Sequence, residues 1–289
     1  MDWAAVFSLQ ILGAIATLVL LSIGLAVVFG MMKIINLAHG EFMMLGGYVA
    51  ILATHKLHVP IWISILVLAP LTVGLFGMLV ERLLVRHLYG RMIDTMLATW
   101  GLSLALTGVA TMFFGNTTVG ISSPLPGLSI GAYQTSGYGV FVIGVAVAVV
   151  LGMWALLRFT HFGLCARATM QNAKMAAALG ANPGRIYSLT FGLGAALAGL
   201  GGAVLAPLTG VIPTLGASYI AKAFITVIGG GSAVITGTLS SAVAFGSINQ
   251  VVTFLSTPVF GEVALLLAAV VLIRVLPQGI TGRFFKRAF

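Results

Sequence analysis

Residues 158–185, RFTHFGLCARATMQNAKMAAALGANPGR, form the one long polar interruption late in an otherwise apolar chain. They carry Arg158, Arg167, Lys174 and Arg185, with Gln171 and Asn172 between them. A solvated loop joining two membrane helices would look like this. Residues 170–179, however, are mostly helix formers, Gly180 suits a C-terminal cap, and Pro183 forbids continuation. The pattern predicts a short helix at a membrane surface, presenting a face to a partner.

Outward from that stretch the chain is apolar in both directions. Of 289 residues 60% are hydrophobic and 7% charged, and mean hydropathy is +1.16, which excludes a soluble globular domain of this size. Windows long enough to cross about 30 Å of hydrocarbon fall at 8–29, 38–54, 61–80, 95–114, 138–157, 188–207, 216–232, 236–256 and 260–276. The expected fold is therefore all-α, a polytopic transmembrane bundle of about nine spans. The whole of 1–289 forms a single domain, with a polar loop at about 158–187. Residues 1–3 show no basic leader, so the first window is expected to stay as a transmembrane helix.

Five acidic residues (Asp2, Glu41, Glu81, Asp94, Glu262) stand against fourteen basic ones, a formal charge of +9. No basic run interleaved with aromatics occurs, so the excess reports topology and not nucleic-acid binding. With nine spans, twelve of the fourteen basic residues share one side, and Lys56 and Lys222 lie opposite. The positive-inside rule then places the N-terminus outside and the C-terminus in the cytoplasm, where the tail with Arg283, Lys286 and Arg287 can hold the membrane surface. The single cysteine, Cys165, excludes an intrachain disulfide, and the five histidines lack metal-ligand spacing.

Several residues near span ends are candidates for a pathway or gate. Between the first two windows, GMMKIINLAHGEFMMLGGY (30–48) places Asn36, His39 and Glu41 where Asn36 can cap the next helix and Glu41 meets its positive end. These residues form either a tight capped turn or part of a gate, because an ionisable group at membrane depth is costly. Glu81, Arg82 and Arg86 read as surface ion-pair partners of small worth, and Asp94 with Thr95 as a helix start. Thr99 and Trp100 lie inside the membrane, and Thr226 lies in a short segment with Lys222 that is bounded by glycines and prolines. Such interruption points either to a discontinuous helix or to a plain turn. Residues 115–139, uncharged and rich in Gly, Ser, Thr and Pro, read as an external loop. Glu262, at an interface, needs no role. Small residues of the sixth window, such as Ala195 with Gly199 and Ala198 with Gly202, allow close helix packing.

INLAHGEFMMLGGY (35–48), ERLLVRHLYGRMIDTMLATWGLSL (81–104), RATMQNAKMAAALGANPGRIYSLTFGLGAALAGLGG (167–202) and LPQGITG (276–282) together resemble the permease subunits of ATP-binding-cassette importers for branched-chain amino acids and for urea or short-chain amides. HLYGR, LATWGLSL and TFGLGAALAGLGG look closer to the urea and amide branch. The resemblance implies a second related permease, two cytoplasmic ATPase subunits holding ATP and Mg, a periplasmic solute-binding protein, and residence in the bacterial inner membrane. It implies no cofactor and no catalysis on this chain, in keeping with the lack of a Gly-rich loop followed by Lys and Ser/Thr. It places the ATPase-coupling helix near 168–180, with Ala168, Gln171, Asn172, Lys174, Ala177, Gly180 and Arg185 as contacts. An ion-coupled secondary transporter would need intramembrane carboxylates in related halves, and a passive channel would leave the polar loop unexplained.

Overall fold

The computed structural model describes residues 2–131, 133–231 and 233–284. Ser232 and the tail residues Lys286 and Arg287 lie outside the described residues. Seven described helices or continuous helical runs are long and apolar enough to cross a membrane. The 38–54 and 216–232 windows depart from expectation, forming helices of only 17 and 16 residues. Both fall short of the roughly 20 residues that a bilayer requires. Nine windows thus give seven helices of spanning length and two short ones.

α1 (Asp2–Met32) is followed by Lys33 at φ 55, a left-handed residue that turns the chain back on itself. Residues 34–38 therefore re-enter the bundle before α2 (His39–His55) begins. α3 (Ile61–Ile63) continues through a π-helical turn (Ser64–Leu68) into α4 (Ala69–Leu83). Pro70 cannot donate to the helical ladder, and just before it the Ala69 amide reaches back five residues to the Ser64 carbonyl. A 3-10 turn (Val85–Leu88) leads to α5 (Met92–Phe114).

The expected external loop after α5 holds an antiparallel hairpin of β1 (Gly127–Ile130) and β2 (Tyr133–Ser136). α6 (Gly137–Phe159) follows, started by the Ser136 side chain accepting from the Gly139 amide. The polar stretch forms α7 (His161–Gln171) and α8 (Ala173–Ala178), and the chain then enters α9 (Pro183–Thr209). α10 (Leu215–Gly230), α11 (Val234–Leu255), α12 (Pro258–Val275) and the short α13 (Gly279–Phe284) complete the described chain.

α9 is the central column, packed against α1, α2 and α4, and the expected small-residue contacts are made there. Gly46 lies on the Gly199 backbone, Gly202 on the Met43 carbonyl, and Gly201 near the Leu20 carbonyl. Lipid tails are as apolar as leucine, so helices in a bilayer associate through this close van der Waals fit. α5 and α12 are the least buried of the long helices and carry their apolar side chains outward.

Candidate functional site

Two regions carry chemistry: a buried junction inside the bundle and a polar elbow at one end of it. The junction begins with the re-entrant segment. Asn36 does not cap α2 as expected. Ala38 holds the cap position without a side-chain bond, and the Asn36 side-chain oxygen accepts from the Ala38 amide at 3.1 Å. The Asn36 backbone carbonyl accepts from the His39 amide at 3.4 Å, so the residue organises the turn before the helix.

His39 is buried, and its Nε2 lies 3.0 Å from the Leu21 carbonyl, well inside α1. A carbonyl only accepts, so Nε2 carries the proton in this bond. α2 therefore starts in the interior of the bundle. Thr99 fastens α5 to the same segment, accepting from the Leu37 amide at 3.1 Å while its hydroxyl donates to the Met96 carbonyl at 3.0 Å.

α10 starts at the same place. Gly40 in the first turn of α2 rests on the backbone of Gly216 in the first turn of α10, where any side chain would collide. From this meeting point the two short helices run to opposite ends of the bundle. His55, the last residue of α2, reaches a cleft beside residues 121–124. Gly230, the last of α10, accepts the Thr281 hydroxyl at 2.6 Å and packs on the opening of α11.

Glu41 lies at the meeting of the two N-termini and is only 3% exposed. Its Oε1 is 2.5 Å from where a Gly216 Cβ would stand, the Ser103 hydroxyl of α5 faces the carboxyl group, and Oε2 has no partner among the described residues. The structure thus brings together Asn36, His39, Glu41 and Thr99. Trp100 does not join them: it is 54% exposed on α5. Thr226 is buried on α10, where its hydroxyl donates to the Lys222 carbonyl one turn earlier at 2.8 Å, a local bond within the helix. Lys222 itself pairs with Glu262 at 2.6 Å, which gives Glu262 a partner that the sequence reading did not assign.

At the elbow, Asn172 divides what was expected to be one helix over 170–179. Its backbone is extended, and its side chain accepts from the Met175 amide at 3.0 Å, so it ends α7 and caps α8. Thr160 and Asn182 cap α7 and α9 in the same manner, at 3.1 Å each. Gly180 does close α8 as expected, at φ 91. Ala168, Gln171, Asn172, Lys174, Ala177, Gly180 and Arg185 are all exposed, while Gly163, Ala166, Thr169 and Ala176 face inward.

Glu81 departs from its reading as a surface ion-pair residue. It is fully buried and accepts the hydroxyl of Tyr89, whose ring meets that of Tyr187 on α9 edge-on at 5.0 Å. Burial, reinforced by this bond to the carboxyl group, raises the ionisation of the Tyr89 phenol above its ordinary range. Asp94 lies in the first turn of α5 as expected and pairs with Arg91 at 2.5 Å. No cluster of metal-ligating side chains occurs among the described residues. Ser103, Tyr89, Tyr187 and Gly216 were missed in the sequence, because each acquires its place only through contacts between distant segments.

Residues 7–276 match the family model described as branched-chain amino acid transport system / permease component. The high-affinity branched-chain amino acid transport system permease protein LivH of Salmonella typhimurium is 29% identical over 284 residues, covering 93% of this chain and 92% of that protein. The corresponding protein BraD of Pseudomonas aeruginosa is 31% identical over 290 residues, with coverages of 93% and 92%. A probable branched-chain amino acid transport permease LivH of Methanocaldococcus jannaschii is 26% identical over 294 residues, with coverages of 93% and 90%. No solved structure matches the chain. With a buried helical junction, an exposed capped elbow and a family match over nearly its whole length, the chain belongs to the membrane permease components of branched-chain amino acid transport systems.

Proposed function

We propose that this chain is the membrane subunit of an ATP-driven importer that moves branched-chain amino acids into the cytoplasm by alternating access. The observation that carries the reading is the elbow. Side-chain caps at Thr160 and Asn172 hold α7 and α8 as a defined, exposed surface, and a third at Asn182 starts α9, the column against which α1, α2 and α4 pack. A push on α8 is thereby delivered to the centre of the bundle as a rigid-body movement.

Two cytoplasmic ATPase subunits holding ATP and Mg act on that surface, and a second related permease completes the pathway. A periplasmic solute-binding protein docks at the opposite end, where a cleft of about 460 Å³ is lined by Thr54, His55, His58, Ser122 and Ser123. The basic residues beside the elbow support a bacterial inner-membrane orientation with the N-terminus outside and the C-terminus cytoplasmic. The matching relatives' names support a branched-chain amino acid. HLYGR (87–91) and LATWGLSL (97–104) support the second reading, urea or a short amide.

Calorimetric titration of the cognate binding protein with leucine, valine, urea and acetamide separates the two. Tight binding of leucine and valine upholds the amino-acid reading, and binding of urea or acetamide alone replaces it with the amide one. Uptake into liposomes holding the complete importer must require ATP. Uptake that follows a proton gradient, or conduction by this chain alone, would overturn the importer reading.

A further inference from the structure

The α2–α10 junction has the charges of a zwitterion's mirror image. Helix N-termini carry unsatisfied amides and partial positive charge, and here two of them, on helices of 17 and 16 residues, converge. Neither cap position supplies a side-chain hydrogen bond. The negative complement is Glu41, with one carboxylate oxygen over Gly216 and the other, Oε2, buried without a partner among the described residues. The Ser103 hydroxyl faces this carboxyl group, yet Oε2 keeps an unfilled acceptor position, and a buried unpaired oxygen loses its hydration without replacement.

The cover over this point is α5, the least buried of the long helices, which reaches it through Ser103 and Thr99. Displacing α5 would give up the Thr99–Leu37 bond and take Ser103 from Glu41, while the tight α2–α9 contacts at Gly46 and Gly202 involve no residue of α5.

We propose that the junction of α2, α10 and Glu41 is a transient binding point for a zwitterionic amino acid. The solute's ammonium is taken by Glu41 Oε2, and its carboxylate by the N-terminal turn of α10 as α5 moves aside. This inference rests on the amino-acid reading of the importer. It adds a charge-selective point inside one permease, and urea, which lacks both charges, would have no use for it.

The test uses the complete importer in liposomes, with Ser103→Cys placed in a Cys165→Ser background. The thiol is challenged with a cationic and an anionic methanethiosulfonate of similar size while solute-loaded binding protein and ATP drive turnover. The cationic reagent is expected to react at least ten-fold faster, turnover to accelerate it, and Glu41→Gln to remove the preference. Leucine uptake is expected to fall at least ten-fold in Glu41→Gln and to recover in part in Glu41→Asp. Equal rates for the two reagents, or no effect of turnover, would overturn the proposal even if leucine is imported normally. If Glu41→Gln fails to assemble, the charge preference in Ser103→Cys alone decides. Import of urea but not leucine by the unmodified complex would instead remove the amino-acid reading, and the zwitterion site with it.

Discussion

Gly202 shows how a single hydrogen atom in place of a side chain sets helix distance. A methyl group there would overlap the Met43 carbonyl, and one at Gly46 would overlap the Gly199 backbone, so neither site can yield without parting α2 from α9. Gly202→Ala and Gly46→Ala are expected to destabilise the protein by about 1–3 kcal/mol, the usual cost of overpacking. Gly101 and Gly144 have open space around them, and alanine there should be tolerated or slightly stabilising. Thermal unfolding in detergent, followed by size-exclusion chromatography, ranks the four. The expectation fails if Gly202→Ala melts with the parent.

Tyr89 tests a second local feature. Removing its hydroxyl with Tyr89→Phe leaves the buried Glu81 carboxyl without the donor it has, a loss of about 1–3 kcal/mol. The sign of the pH effect follows from the raised phenol: its contribution is complete below the unfolded tyrosine value of about 10 and is lost as pH rises beyond it. The melting temperature of the parent should therefore fall more steeply above pH about 10 than that of Tyr89→Phe. Parallel curves would show that Tyr89 is not the group responsible.

At the scale of elements, the apolar windows located each long helix, because sustained hydropathy depends only on local composition. They misjudged 38–54 and 216–232, since hydropathy measures length of apolar chain and not where in the bundle it begins. The left-handed Lys33 and the meeting of Gly40 with Gly216 are what place those starts inside, and neither is a composition signal. The elbow was legible in outline. Gly180 and Pro183 marked the right boundary, whereas Asn172 was read as a surface contact although asparagine before Ala-Lys-Met is itself a capping pattern.

Asn172→Ala should cost the α7–α8 elbow about 1 kcal/mol through loss of the cap. Gly180→Val should strain a backbone held at φ 91. Both are expected to weaken co-purification of the ATPase subunits and lower uptake, while leaving the binding protein's affinity for solute unchanged. Retention of full coupling in both variants would remove the elbow from the mechanism.

For the whole molecule, the distribution of polar surface defines two ends. The hairpin and the histidine-lined cleft lie at one, and the capped elbow at the other. Cysteines introduced at Ser122 and Met175, in a chain without Cys165, should react with a membrane-impermeant reagent from opposite sides, Ser122 from the periplasm. Labelling with the sides exchanged would overturn the orientation drawn from the basic residues.

The pairing of α2 with α10 bears finally on how the chain is made. α2 emerges early in synthesis and is too short to cross the bilayer alone, yet its tightest neighbours, Gly199, Gly202 and Gly216, lie in the last third of the sequence. The backbone of the re-entrant segment 33–38 finds its partners early, in Phe29, Asn36 and Thr99, but until those glycines are translated the close-packing faces of α2 at Gly40 and Gly46 have no helix to rest on. Packing of the N-terminal third is thus expected to wait on its C-terminal counterpart, and a chain arrested before α9 and α10 is expected to be degraded faster than the full one, which pulse-chase of the two lengths would show.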